Sequence, residues 1–476
     1  MPSKPQSLMW FRADLRVADN PALHLAMQNG PVLAVFCASE KQWQQHDISP
    51  AKKALLVAQV RDLADSLAQL NVPLLVLDCP LFADIPDALA ALVKQHDIQQ
   101  LYYNHEYEVN EMGLSRQVTK RMKSLGVAVR GEHDQVLTVP GSIRTGSGEF
   151  YKVFTAFKKA LYKAAPDILR PYYTAPDAQQ KVDMNSDLQA LDNLDVDNSW
   201  LERWPAGEQL AQQQLQRFVH EAIRDYKKTR DFPAQDNTSR LSAYQAVGAL
   251  STMQCLRAAL AENNGELDSG NEGIVTWINE LIWRDFYRHL LVAYPDLCKH
   301  KAFKSDTDRL PWKHDEDKFQ RWCEGNTGYP IVDAAMRQLN QTGWMHNRLR
   351  MIVAMFLTKH LFIDWRWGER YFMQKLVDGD LASNNGGWQW SASTGCDAVP
   401  YFRIFNPVTQ SERFDPKGDF IRNYVPELAK FDAKKIHMPS ADLAKRFGYP
   451  APMVDHASAV AQTKAWFKEL NASQQE

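Results

Sequence analysis

The chain lacks the marks of a secreted, membrane or metal-held protein. Its six cysteines (Cys37, Cys79, Cys255, Cys298, Cys323, Cys396) are scattered over 476 residues, with no CxxC pair and no clustered histidine. That argues against a disulfide frame or a structural zinc, and fits reduced thiols in a cytosol. No apolar run approaches the ~20 residues that span a bilayer, and "MPSKPQSLMWF" at the start has no apolar signal core. The expected location is the cytoplasm, with no membrane partner and no metal. An excess of one charge sign is missing too. The formal net charge of −2 exerts no global pull toward nucleic acid, so any basic surface requires local segregation. No internal repeat is evident, and no GxGxxG follows the first strand, so a Rossmann dinucleotide site is not supported.

What is present is an ordinary globular composition, 45% hydrophobic and 24% charged, with enough apolar residues for more than one core. Residues 1–134 alternate between short apolar runs and helix-like segments. "LMWF" (8–11), "PVLAVFCAS" (31–39), "VPLLVLDC" (72–79), "IQQLYYN" (98–104) and "VAVRG" (127–131) read as strands buried on both faces. The pattern predicts an α/β domain with a doubly wound, mostly parallel five-stranded sheet. A ligand is expected at the carboxyl ends of its strands, where "NHEYEVNE" (104–111) is either a site edge or a polar loop capping a helix.

Residues 166–205 change character: a Pro-rich stretch is followed by Val182–Glu202, with six acids and no Lys or Arg. This reads as an interdomain connector. From about residue 206, long 3.6-period segments dominate, at 207–228, 242–262, 273–293, 330–341, 343–361 and 367–377. The expected division is an α/β domain at 1–134, a connector at 135–205 and an all-α domain at 206–476.

The chemistry candidates lie in the helical half. In "TWINELIWRDFYRHL" (276–290), Trp277, Glu280, Arg284 and Arg288 share a face apart from the apolar stripe. An exposed Glu280–Arg284 ion pair beside a packed Trp accounts for this spacing, and so does a ligand wall with Glu280 as acceptor between Trp277 and Trp283. In "TGWMHNRLRMIVAMF" (342–356), Trp344, Asn347, Met351 and Met355 form a stripe that suits core packing or a ligand wall with Arg348 and Arg350 beside it. "DGDLASNNGG" (378–387) reads as a loop of Asx turns, without the spacing of a calcium loop. "NTSRLSAYQAVGALS" (237–251) is a hydroxyl-rich helix start, either a plain N-cap or an anion cradle. Charge is segregated: Trp283–Lys313 has seven Lys/Arg against four acids, and Met336–Tyr371 six against two. With large rings interleaved, this suits either salt-bridged helices around an aromatic core or the binding of single-stranded or extruded bases.

Taken in order, "WFRADLRVADNPAL", "TSRLSAYQAVGALS", "WINELIWRDFYRHL", "GYPIVDAAMRQLNQTGWMHNRLRM" and "DGDLASNNGGWQWSASTGCDAVPYFRIFNP" resemble the photolyase/cryptochrome family. More narrowly, they are similar to bacterial class I cyclobutane pyrimidine dimer photolyases. The resemblance runs from about Leu8 to Pro450. It departs from the family pattern in "YKVFTAFKKALYKAA" (151–165), where Ala156 and Leu161 replace the usual Pro and Trp.

The resemblance implies an antenna domain, a long connector and a helical domain holding FAD. It places Tyr226, Thr238, Ser239, Arg240, Leu241, Ser242, Trp277, Arg284, Trp344, Asn347, Arg350, Asp378, Asp380 and Asn384 against that cofactor. Around a flipped pyrimidine dimer it places Glu280, Trp283, Asn347, Met351 and Trp390, with Arg230, Arg348 and Gln410 near the DNA. Trp388, Trp365 and Trp312 match a tryptophan chain that carries electrons to the flavin. Asn110, Glu111, Cys298 and Lys299 match contacts to an antenna pigment, 5,10-methenyltetrahydrofolate in folate-using members. The implied activity is light-driven dimer splitting in UV-damaged DNA by reduced FADH⁻, in a monomer, with Glu280 and Asn384 closest to the chemistry. A cryptochrome-like photoreceptor shares the fold. Asn384 favours the lyase, since plant receptors typically have Asp there and animal ones Cys, and the chain ends soon after the helical domain. A (6-4) lyase is disfavoured because Asn347 and Met351 stand where it would have histidines.

Overall fold

The computed structural model describes residues 4–472. By spatial proximity the chain divides into two compact units. One comprises Met1–Asp225, Ser239–Pro295 and Val377–Gly379; the other comprises Tyr226–Thr238, Asp296–Leu376 and Asp380–Glu476. Both units are discontinuous in sequence.

In the first unit the five apolar runs form β1 (Ser7–Phe11), β2 (Val32–Ala38), β3 (Leu74–Asp78), β4 (Gln100–Asn104) and β5 (Ala128–Glu132). All neighbours are parallel, in the order β3-β2-β1-β4-β5. β1 and β2 are buried throughout, whereas β5, at the sheet edge, is not. That is the physical reason β1 and β2 read as continuous hydrophobic runs. The crossover helices are α1 (Pro21–Gln28), α2 (Pro50–Gln69), α3 (Ile85–Gln95) and α4 (Val109–Lys123). Leu89 and Val93 of α3 and Leu114, Val118 and Met122 of α4 close one face of the sheet over Leu8, Trp10, Leu33 and Val35.

The order reverses between β1 and β4, and polar groups gather there. Asp14 accepts from the Arg12 amide at 2.6 Å and from Asn104 Nδ2 at 2.5 Å, and burial pushes its carboxyl up to about 6. The same unit holds α5 (Phe154–Ile168), α6 (Glu208–Glu221), α7 (Ser242–Val247), α8 (Thr252–Glu262) and α9 (Glu272–Ala293). The expected single helix over 242–262 is two helices. Gly248 ends α7 with φ +77°, and a Cβ there would lie 2.2 Å from the Ala13 carbonyl oxygen, so the chain must turn at a glycine. Asn271 caps α9, its side-chain oxygen accepting from the Gly273 and Ile274 amides.

The second unit is helical: α10 (Pro330–Thr342), α11 (Asn347–Met355), α12 (Trp365–Lys375), α13 (Leu381–Ala392), α14 (Pro407–Phe414) and α15 (His456–Ala472). The segment expected as one helix over 343–361 begins only at Asn347, capped by His346, and widens into a π turn at Phe356–His360. The larger correction concerns "DGDLASNNGG". Its second half is not a loop but the start of α13, with Asp380 as N-cap accepting from the Ser383 amide at 2.9 Å. Asn-Asn-Gly-Gly has poor helix propensity, so tertiary ties must hold it. Asn385 Nδ2 donates to the buried Glu369 carboxylate at 2.8 Å, and Gln389 Nε2 donates back to Asn385 Oδ1 at 2.9 Å.

Candidate active site

In the first unit, seven of the fourteen residues expected against FAD occur: Ser239, Arg240, Leu241, Ser242, Trp277, Arg284 and Asp378. The backbone turns sharply at Arg240, which has φ +51°. Gln214 on α6 donates to the Ser239 carbonyl at 3.0 Å, fixing the segment before α7. Ser242 Oγ donates to Asp378 Oδ2 at 2.6 Å, joining two residues 136 positions apart. Arg284 reaches the Gln245 carbonyl at 3.4 Å, and Trp277 packs on Phe218 with ring centroids 5.1 Å apart. Guanidinium groups, hydroxyls and irregular backbone N–H groups suit a diphosphate, and carboxylates suit the donors of a ribityl chain and a flavin ring. The donor set fits FAD.

Glu280 and Trp283 stand on α9, half-buried. Asp285 on the same helix is fully buried and was not singled out in the sequence. It accepts from the Leu137 and Thr138 amides at 2.8 and 2.9 Å, tying the strand-following segment at 137–138 to α9. Burial pushes its carboxyl up to about 6, even against these donors.

The second unit holds the other seven: Tyr226, Thr238, Trp344, Asn347, Arg350, Asp380 and Asn384. Asn347, Arg350 and Met351 share one face of α11 at i, i+3 and i+4. Met355, expected on the same stripe, is buried in the core, whereas Asn347 is exposed. Asn384 Nδ2 donates to the Glu369 carbonyl of α12 at 2.9 Å. Glu369, missed in the sequence, is 1% exposed and also meets His300 Nδ1 at 2.9 Å.

Trp388 and Trp390 are two positions apart on α13, hence on nearly opposite sides of the helix. Trp388 is buried against Phe372 and Trp322, while Trp390 is half-exposed. Trp365 is fully buried and Trp312 half-buried, and the indole N–H of each is enclosed without a hydrogen-bond partner. Of the expected DNA contacts, Arg348 is held by Asp231 at 2.9 Å and lies over the Phe414 ring at 4.4 Å. Arg230 lies over Tyr226 at 5.2 Å, and Gln410 is half-buried on α14.

Two of the expected antenna residues, Asn110 and Glu111, open α4 in the first unit. They meet His46, unremarked in the sequence, at 3.1 and 3.3 Å. Burial lowers the His46 pKa, but the Glu111 carboxylate outweighs it and holds the imidazole above its ordinary value. Arg12 pairs with half-buried Glu106 at 2.6 Å. In the second unit, Cys298 is half-buried and the exposed Lys299 pairs with Asp296 at 3.2 Å. Among the described residues no group of three or more His, Cys, Asp or Glu is placed to hold a metal ion, and no helix is long and apolar enough to cross a membrane.

Comparison with known proteins agrees with this architecture. Residues 7–177 match the family described as DNA photolyase, and residues 277–469 match the FAD binding domain of DNA photolyase. A deoxyribodipyrimidine photo-lyase of Vibrio cholerae is 47% identical over 458 residues, covering 94% of this chain and 96% of that one. The crystal structure of a class III photolyase from Agrobacterium tumefaciens superposes with a TM-score of 0.89 at 34% identity, covering 99% of each chain. A cryptochrome structure from Synechocystis gives 0.84 at 31% identity, covering 98% of this chain and 100% of that one. With fold, donor set and full-length similarity in agreement, the chain belongs to the DNA photolyase family.

Proposed function

We propose that this chain binds UV-damaged DNA, takes a cyclobutane pyrimidine dimer out of the stack and splits it in light. The observation that carries the reading is the 47% identity to a deoxyribodipyrimidine photo-lyase over nearly the whole of both chains. An enzyme that does chemistry on a base inside a duplex must first extrude it, and photolyases as a class work in this way. Extrusion costs a few kcal/mol, and least where pairing is already damaged. Reduced FAD, when bound, supplies the electron that a light-excited flavin lends to the dimer and recovers after both ring bonds have opened.

The protein's own residues bind and orient. Arg284, with Thr238, Ser239 and Ser242, holds the diphosphate, and Asp378 and Asp380 hold the ribityl and ring side. Tyr226, Arg240, Leu241, Trp277, Trp344, Asn347 and Arg350 complete the cofactor contacts. Asn384 presents its amide oxygen to the flavin edge. Glu280 donates or accepts a hydrogen bond at the dimer, steadying the charge it gains, between Trp283 and Trp390 as stacking faces and with Asn347 and Met351 as walls. Arg230, Arg348 and Gln410 steady the DNA. Trp388, Trp365 and Trp312 pass electrons inward to reduce oxidised cofactor. An antenna pigment, 5,10-methenyltetrahydrofolate, is held by Asn110, Glu111, Cys298 and Lys299, and the protein acts as a monomer in the cytoplasm.

The division into an antenna domain at 1–134, a connector at 135–205 and a catalytic domain at 206–476 is part of the same reading. The test is binding in darkness: the protein should prefer an oligonucleotide with one thymine dimer over its undamaged twin. Equal affinity for the two would sink the proposal.

A further inference from the structure

Helix α5 opens the segment where the sequence departs from the family pattern, and the site described above does not use it. Its buried stripe is Phe154, Phe157, Leu161 and Ala165, at i, i+3, i+7 and i+11. This stripe packs on α9. Tyr162 Oη donates to Asn279 Oδ1 at 2.7 Å, one residue before Glu280. At the other end, the Phe154 ring lies flat on Trp283, with centroids 3.6 Å apart and planes inclined by 7°. Phe286 stands edge-on to both rings, at 5.8 Å from Phe154 and 5.7 Å from Trp283. Tyr287 flanks Trp283 at 5.5 Å. Phe154 is 6% exposed, whereas Trp283 remains half-buried.

We infer that Phe154 is a positioning residue for the damaged base: it covers one face of Trp283 and fixes the indole plane, so that the opposite face receives the pyrimidine. This rests on the reading that Trp283 touches the dimer. An indole has two faces and two side-chain torsions. A flat partner on one face, with Phe286 edge-on and Tyr287 tilted alongside, removes the torsional freedom that base stacking would otherwise have to freeze. The platform is set before the base arrives. The surrounding charge suits a nucleic-acid strand: residues 150–166 contain Lys152, Lys158, Lys159 and Lys163 and no acid. Lys158 Nζ lies 5.9 Å from the ring centroids of both Phe154 and Tyr162, so a cation stands beside the stack where a flanking phosphate would gain from it.

The test compares Phe154→Leu, Phe154→Met, Phe154→Trp and Trp283→Ala in the flavin-loaded protein. Dissociation constants for a thymine-dimer oligonucleotide and its undamaged twin are measured in darkness, KM and kcat in light, and flavin content alongside. Phe154→Leu should weaken dimer binding roughly two- to tenfold, the range an aromatic pair contributes beyond its buried area. It should raise KM with little change in kcat, and leave affinity for undamaged DNA and flavin content as they were. Phe154→Trp should restore dimer affinity. Phe154→Met fills a similar volume without a ring, and stands in should the leucine variant not fold. If Trp283→Ala weakens dimer binding and neither ring-less variant does, Phe154 does not position Trp283. Equal losses for damaged and undamaged DNA, or lost flavin, mean that the stack is only packing. Unchanged dimer affinity in Trp283→Ala removes the substrate reading of Trp283 and the inference with it.

Discussion

The side-chain amide nitrogen of Asn384 donates to the backbone carbonyl of Glu369 at 2.9 Å. An amide tied at its nitrogen has a settled orientation, and its oxygen remains the acceptor. Replacing Asn384 by Asp sets a carboxylate oxygen against that carbonyl. The expected cost is about 1 kcal/mol or more, that of the lost hydrogen bond with two oxygens now set against each other. The reduced cofactor should also reoxidise faster in air, because the acceptor is no longer held in place. Thermal unfolding and reoxidation rates check the two effects. An unchanged melting temperature would show that the tie contributes nothing.

Gly368 on α12 leaves the space that Trp388 fills. A Cβ there would lie 2.1 Å from the Trp388 ring, which is backed by Phe372 and Trp322 and has nowhere to retreat. Gly368→Ala should therefore destabilise the protein by about 1–3 kcal/mol through overpacking. It should also slow light-driven reduction of oxidised flavin, since Trp388 must shift. Denaturant melts and photoreduction traces under blue light provide the check.

Lys359, in the π turn, is fully buried and donates to Ser393 Oγ at 2.8 Å. Burial, with Lys304 adding repulsion, lowers its pKa to about 7 from 10.5. The unfolded chain therefore carries one more proton than the folded chain between those values. Stability should rise with pH across that window by up to about 1.4 kcal/mol per unit, and this contribution should be flat below it. Lys359→Met should flatten the profile. Urea melts from pH 7 to 10, subtracting variant from parent, isolate this group from others that titrate nearby.

The assignment of Trp312 to electron supply predicts a split between two activities. Trp312→Phe should impair photoreduction of the oxidised protein but spare repair by protein reduced chemically beforehand. Loss of repair in the pre-reduced variant would contradict that role. Flavin absorbance under illumination, followed by repair assays in both states, separates the outcomes.

How much was legible in the sequence depended on how local the cause was. β1 and β2 were plain because a strand buried on both faces has no polar positions to obscure it. Helix α13 was misread because its propensity favours a loop, while the ties that hold it come from Glu369 on another helix. Asp285 was invisible for the same reason, since its partners lie nearly 150 positions earlier. His46 gave no signal of its own, being one histidine beside a polar loop. Spacing put Trp277, Glu280 and Arg284 on one face of a helix. It could not decide between an ion pair and a ligand wall, and only the family resemblance gave these residues separate tasks.

The central claim is tested most directly by splitting itself. A synthetic oligonucleotide carrying one thymine dimer is incubated with flavin-reduced protein, half under near-UV or blue light and half in darkness. Intact thymines are then counted by chromatography. The account predicts dimer loss with matching recovery of thymines in the illuminated half and none in the dark. Dimer that persists equally in both halves, with flavin bound and reduced, would contradict it.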